Sequence, residues 1–243
     1  MVLYAFYSCT TISTKANGFC SVTDASLWKM TTSNARKYLG RFVRRGEAIE
    51  SEPGQTWGVY WCNQPLPTNF ILRIEWLRHE ANDNSGVFIR FPNPSTQHES
   101  NTGLVAARGF EIQIDERGSP DGAPCHRTGA IYGQLGQHFS LQPARPIGQW
   151  NVYEIEAKAQ HYRVRLNGAI VSDFTNHDPN RARPTALGAP SYFAVQAELG
   201  HVEFRRVAIV KLYQHVGPAV MQRGSDAKAD AKKSISVKTK LAG

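Results

Sequence analysis

The stretch that decides the fold begins Asn84-Ser85-Gly86-Val87-Phe88-Ile89-Arg90 and continues, after an interval, as Gly109-Phe110-Glu111-Ile112-Gln113-Ile114-Asp115 and then Thr128-Gly129-Ala130-Ile131-Tyr132-Gly133. These segments read as three neighbouring strands. In the middle one, Phe110, Ile112 and Ile114 alternate with Glu111, Gln113 and Asp115. Strand side chains alternate faces with a period of two, so the three polar groups share one face. An ordinary half-exposed strand shows mixed Lys, Thr and Ser outward; two carboxyls and a carboxamide in register can bind a polyhydroxylated ligand or move protons.

The same grammar runs outward from this cluster. Arg41–Ser51 reads as two short strands around Gly46, and Trp57–Trp61 as a third. In Phe70–Arg78, Leu72, Ile74 and Trp76 face one way, Arg73 and Glu75 the other. Gln149–Ala157 and His161–Leu166 pair across a short polar turn, and Asn167-Gly168, both tolerant of positive φ, turns the chain tightly into Ala169–Phe174. Tyr192–Glu198 and His201–Leu212 close the fold. No segment sustains the 3.6-residue apolar period over three turns. About a dozen short strands with almost no helix imply an all-β chain, two antiparallel sheets packed as a jelly-roll β-sandwich, with a barrel as runner-up.

Residues 1–36 are Ser/Thr-rich without periodicity and read as an irregular leader; 37–213 form the folded domain; 214–243 read as a disordered basic tail. The net charge of +8 divides unevenly: from Gln214 onward, six Lys/Arg against two Asp give +4. The folded body is therefore only mildly basic, which removes most electrostatic support for a nucleic-acid partner. No stretch reaches the length of a transmembrane span, and the apolar start lacks the basic region of a secretory signal. Cys9, Cys20, Cys62 and Cys125 show no Cys-x-x-Cys spacing, so they read as scattered thiols, with a Cys9–Cys20 bridge open in an oxidising compartment.

Six motifs, in order and spacing, carry a resemblance. The three strands quoted above, then Trp150-Asn151, Leu166-Asn167-Gly168, and Gln196-Ala197-Glu198 with Val202-Glu203-Phe204-Arg205, resemble the 3-keto-disaccharide hydrolase domain family over roughly Tyr38 to Leu212. The family's opening Leu-Phe-Asn-Gly is absent, and Arg206 stands where it often has Asn. The resemblance implies a concanavalin-like jelly roll whose concave sheet holds a sugar, and cleavage of glycosides oxidised to a ketone at carbon 3.

A ketone there acidifies the hydrogen on carbon 2, so cleavage by elimination and rehydration needs a base, a group stabilising the enolate and an acid. A direct glycosidase needs two carboxyls about 5–5.5 Å or about 6.5–9.5 Å apart. Glu111 and Asp115, four residues apart on a flat strand, are separated by roughly 13 Å between Cα atoms. Glu111 is therefore the first choice for base, with Asp115 or Glu75 as acid or orienting carboxylate. Arg90 could hold the enolate oxygen; Gln113, Tyr132, Asn84, Gln196 and Glu198 are candidate sugar ligands, and Trp57 or Trp61 could stack on a pyranose. Glu75 and Arg73 can equally pair with each other across an exposed sheet, and the aromatics can belong to the core. The histidines lack compact ligand spacing, so no metal site is assigned, although a carboxylate-rich cleft could hold Ca²⁺ or Mn²⁺. The competing functions are a non-catalytic carbohydrate-binding module, a family 16-like glycosidase reading Glu111-x-Gln113-x-Asp115-Glu116 as its motif, and an interaction domain docking through the basic tail.

Overall fold

The computed structural model describes residues 28–32, 41–52, 57–94, 101–135, 144–182 and 189–212. Twelve strands are formed: β1 Trp28–Thr32, β2 Arg41–Arg45, β3 Ala48–Glu52, β4 Gly58–Cys62, β5 Phe70–Arg78, β6 Ser85–Phe91, β7 Phe110–Ile114, β8 Asn151–Lys158, β9 His161–Leu166, β10 Ala169–Thr175, β11 Tyr192–Ala197 and β12 Val202–Lys211. One α-helix, α1, spans Asn101–Arg108. The strands make a five-stranded sheet, in the order β1-β4-β11-β6-β7, and a seven-stranded sheet, β10-β9-β8-β5-β12-β3-β2. Every pairing is antiparallel. This is the two-sheet sandwich that the alternation implied.

The core lies between the sheets. Val87, Ile89, Phe110, Ile112, Ile114, Phe193 and Val195 from the smaller sheet meet Leu72, Ile74, Trp76, Tyr153, Ile155, Tyr162, Val164 and Phe204 from the larger. A second apolar cluster, Val59, Trp61, Phe88, Phe91, Val105, Tyr192 and Ala194, covers the outer face of the five-stranded sheet, with Val105 contributed by α1. Hence Trp61, expected as a possible sugar platform, is a core aromatic, edge-on to Tyr192 with ring centroids 5.1 Å apart.

Three local expectations change. Thr128–Gly133 does not form a strand: Ile131 makes a single bridge to Ile112, while the backbone runs beside β7 through turns at Gly129 and Gly133. Gly129 has φ +87°, and a Cβ there would lie 2.7 Å from the Val171 side chain, so the chain must bend rather than extend. β1 falls inside the stretch expected to be irregular; it adds an edge to β4, with Trp28 opposite Cys62. The rest of that leader and the tail from 214 lie outside the described residues. Cys62 is disulfide-bonded, not an idle thiol, whereas Cys125 is free. No described helix is long and apolar enough to cross a membrane.

Two phenols of the larger sheet tie it to β7 and to the loop at Ala182. Tyr153 on β8 donates to the carbonyl of Gln113 on β7 at 2.5 Å, and Tyr162 on β9 donates to the carbonyl of Ala182 at 3.0 Å. At one end of the sandwich, buried Asp83 accepts the backbone N–H groups of His79, Glu80 and His201 at 2.7, 2.8 and 3.1 Å, fastening the β5–β6 turn to the β11–β12 turn. Hydrogen bonds to a buried carboxylate are worth more than neutral ones, so Asp83→Ala should lower stability by about 2–4 kcal/mol. A shift of the denaturant midpoint with unchanged slope would report it.

Candidate active site

Alternation on β7 sends Phe110, Ile112 and Ile114 into the inter-sheet core and Glu111 and Gln113 to the outer face. There they meet Gln196 and Glu198 at the end of β11, and Asn84, whose backbone pairs with Leu199 in both directions at 2.8 and 3.1 Å. Tyr132 arrives on the turn segment beside β7, held by its N–H to the Glu111 carbonyl at 2.9 Å. Trp57, Phe88 and Ala106 of α1 supply the apolar wall. The result is a cavity of two lobes that share Phe88, Ala106, Glu111 and Tyr132. The first, of 360 Å³, adds Trp57, Asn84, Gln113, Ser119, Pro120, Gln196 and Glu198. The second, of 400 Å³, adds Gly133, Gln134 and Arg181.

Glu111 is the centre of this arrangement. On the neighbouring strand its carboxyl lies over Gly86; a Cβ at position 86 would come within 2.3 Å of Glu111 Oε1. That oxygen is buried and finds no hydrogen-bond partner among the described residues. Burial, and secondarily the Glu198 carboxyl, push the Glu111 acid well above the ordinary carboxylate range, against a smaller pull from Arg181. Glu198 is raised too, by burial and by Asp115, but a hydrogen bond from the Gln196 amide favours its charged form. Of the two carboxyls, Glu111 is pushed up the more strongly and is the later to ionise as pH rises. Burial, then Glu111 and Glu198, also raise the Tyr132 phenol, which therefore remains a donor at neutral pH. Asn84 Oδ1 and Gln196 Oε1 are, like Glu111 Oε1, buried acceptors with no partner among the described residues.

The structure thus gathers Glu111, Gln113, Tyr132, Asn84, Gln196, Glu198 and Trp57 in one cavity and leaves Asp115, Glu75 and Arg90 out of it. Asp115 sits past the end of β7, where its two carboxylate oxygens accept the N–H groups of Arg117 at 2.8 Å and Ser119 at 2.7 Å. It shapes the turn that carries Ser119 and Pro120 to the cavity wall. Glu75 is on β5, in the other sheet. Burial would raise its carboxyl, but the Arg205 hydrogen bond at 2.9 Å and the charges of Arg206, Arg205 and Arg73 outweigh this and hold it below the ordinary range. It is a neutralised structural anion.

Arg90 turns inward. It has φ +61°, and the β6–β11 register slips between Tyr192 and Phe193, so the strand carries a bulge. Past Val87, Phe88 and Ile89 the bulge inverts the alternation. The Arg90 side chain enters the sandwich, its guanidinium 5.4 Å from the Phe70 ring and 5.6 Å from that of Tyr162, donating to the Thr68 carbonyl at 2.5 Å. Phe91 takes the outer face instead.

Several members of the site were not foreseen. Arg181 follows a loop without periodicity, and Ala106 rides on a helix only eight residues long. Behind Tyr132, the His126 ring lies 4.7 Å away between centroids, and its Nδ1 is 2.7 Å from Asp121 Oδ1. Among the described residues no three His, Cys, Asp or Glu side chains are grouped to hold a metal ion.

Residues 19–210 match the family described as 3-keto-alpha-glucoside-1,2-lyase-like domains. The chain belongs to that family. Among solved structures, a candidate glycosyl hydrolase from Parabacteroides distasonis is 18% identical, covers 78% of this chain and 91% of its own, and superposes with a TM-score of 0.59. A second candidate glycosyl hydrolase from that organism is 20% identical over 81% of this chain and all of its own, at a TM-score of 0.55. A Bacillus subtilis protein of unknown function with a galectin-like fold is 11% identical, covers 79% and 92%, and gives 0.56. At these identities the likeness is one of fold. No curated protein matches the chain. For this lyase-like domain, then, family and fold agree on a carbohydrate-related jelly roll.

Two outcomes test the electrostatics. In Gly86→Ala the new methyl should displace the flexible Glu111 carboxyl toward solvent, so its apparent pKa should fall toward the ordinary value while the fold persists; a ¹³C titration of the carboxyl carbon measures this. The unfolded chain loses the Glu111 proton at about pH 4.3, the folded protein only at higher pH, so this group's contribution to stability falls as pH rises between the two values. Glu111→Gln should therefore be more stable than the wild type at pH 7, and the difference should close toward acid pH in denaturant titrations.

Proposed function

We propose that the domain cleaves glycosides whose sugar bears a ketone at carbon 3, with Glu198 as base and Glu111 as acid. The observation that carries the reading is the inequality of the two carboxyls within one cavity. Glu198 lines the first lobe alone, where Trp57 can stack on a pyranose and Asn84, Gln113 and Gln196 offer amides to hydroxyls. Glu111 borders both lobes, at the waist a glycosidic oxygen would cross.

The ketone makes the hydrogen on carbon 2 acidic. The Glu198 carboxylate takes that proton; the C–H electron pair forms a bond between carbons 2 and 3 as the carbonyl pair moves onto the ketone oxygen, and when that enolate reverts to the ketone its electrons form the double bond between carbons 1 and 2. The bond from carbon 1 to the leaving oxygen breaks with its electrons, and the Glu111 proton goes to that oxygen. Water adding its hydroxyl to carbon 1 and a proton to carbon 2 completes net hydrolysis. The protonated Tyr132 phenol donates to the enolate oxygen that forms at carbon 3. This exchanges the roles expected from the sequence, in which Glu111 was the base. The reason is desolvation: a carboxyl that keeps its proton is suited to giving one.

Incubation with a 3-keto-glucoside and with the parent glucoside tests the reading. Aglycone should leave the keto-sugar alone, and solvent deuterium should enter at carbon 2. Glu198→Gln should lower kcat/KM by about 10²–10⁴-fold and abolish the deuterium exchange. Glu111→Gln should be damaging with a poor leaving group and much less so with a nitrophenol, which departs without protonation. Sugar binding with no cleavage of either compound would instead make the domain a carbohydrate-binding module. In the wild type, kcat/KM should rise as Glu198 ionises and decline as Glu111 loses its proton, with both limbs above the ordinary carboxylate range.

A further inference from the structure

The second lobe has a different chemistry from the first. Arg181 is its cation among the described lining residues. The guanidinium is fixed rather than free: Nε donates to the Gly109 carbonyl at 2.8 Å, Nη2 to that of Ala106 at 3.2 Å, and the group lies 4.6 Å from the centroid of the Phe110 ring. Ala182, the next residue, is bonded through its N–H to the Arg108 carbonyl at 2.7 Å and through its carbonyl to Tyr162. The two carboxyls close enough to act on Arg181 are Asp178 and Glu111. Asp178 Oδ1 accepts the Asn180 N–H at 2.7 Å, and among the described residues no carboxylate is ion-paired with Arg181. A rigid, half-buried cation with no ion-pair partner among the described residues thus faces a cavity of 400 Å³ that Glu111 also borders.

We propose that the second lobe is the leaving-group subsite and that Arg181 makes it selective for leaving groups carrying an oxyanion, either a carboxylate or a phosphate. This rests on the keto-sugar reading for the direction of cleavage and on the cavity's own geometry for the selectivity. A guanidinium keeps its charge when partly desolvated and matches the oxygens of either anion. Its backbone bonds pre-pay the ordering of the side chain.

The test uses three phenyl 3-keto-glucosides that differ in the para substituent of the aglycone: carboxylate, phosphate or carboxamide. At low salt the wild type should favour the anionic substrates over the amide by about tenfold or more in kcat/KM, the larger of the two anionic ratios naming the source. Arg181→Gln should bring the ratio to within about twofold of unity. Because Arg181 also braces its loop, Gln134→Glu is the second variant. It places a carboxylate in the same lobe and should abolish the preference without disturbing the Gln134 N–H bond to the Ile131 carbonyl. Calorimetric titration of free 4-hydroxybenzoate, phenyl phosphate and 4-hydroxybenzamide reads the lobe without turnover and should show the same ranking. Turnover that is indifferent to charge overturns this proposal and spares the keto-sugar reading. Charge-selective binding that both variants lose, without cleavage of any substrate, does the reverse.

Discussion

The site depends on one missing methyl group. Gly86 lies beside Glu111 on the neighbouring strand, and the space a Cβ would fill holds the Glu111 carboxyl. Because that carboxyl is tucked against backbone, it loses water, its acid is pushed well above the ordinary range, and Oε1 has no hydrogen-bond partner among the described residues. Burying an acceptor in this way works against folding, by about 1–3 kcal/mol for a group left unsatisfied. The surrounding structure tolerates it because both apolar clusters close around β6 and β7, one between the sheets and one beneath α1. Burial raises Glu198 and Tyr132 as well, with Asp115 adding to the first and the Glu111 and Glu198 carboxyls to the second.

The cavity is correspondingly divided by chemistry as well as by shape. Amides, an aromatic plane and the Glu198 carboxyl gather on one side; a braced guanidinium stands on the other; the buried Glu111 carboxyl and a phenol border both. Acceptors without protein partners suit a ligand rich in hydroxyl donors, since a sugar hydroxyl can both give and receive a hydrogen bond. A glycoside fits that division in a way that a uniformly apolar or uniformly charged ligand would not.

Much of this was legible in the sequence because period-two alternation is a strong signal wherever one face is buried. Phe110, Ile112 and Ile114 marked β7, and Asn167-Gly168 marked the hairpin between β9 and β10, where Leu166 pairs with Ala169 across two residues. Gln196 and Glu198 could be placed on one face for the same reason. What escaped were the points where local rules yield to tertiary structure. The bulge at Arg90 inverts the alternation and sends a candidate ligand into the core. Asp115 lies one residue beyond its strand, so parity no longer fixes its direction and its oxygens turn to backbone. Arg205 and Arg206, distant in sequence from Glu75, neutralise it across the β5–β12 pair. Relative proton affinity was the least legible property, because it depends on Gly86 and on the packing around the cavity, not on residue type.

The two tyrosines that reach out from the larger sheet acquire a mechanical meaning here. Tyr153 grips the strand that carries Glu111, and Tyr162 grips the segment that carries Arg181. Both are rooted in adjacent strands of the opposite sheet, β8 and β9, whose register is continuous from Tyr153 to Lys158. The strand of Glu111 and the segment of Arg181 are therefore both moored to one pair of neighbouring strands, a shared footing that lies on the core side of the cavity.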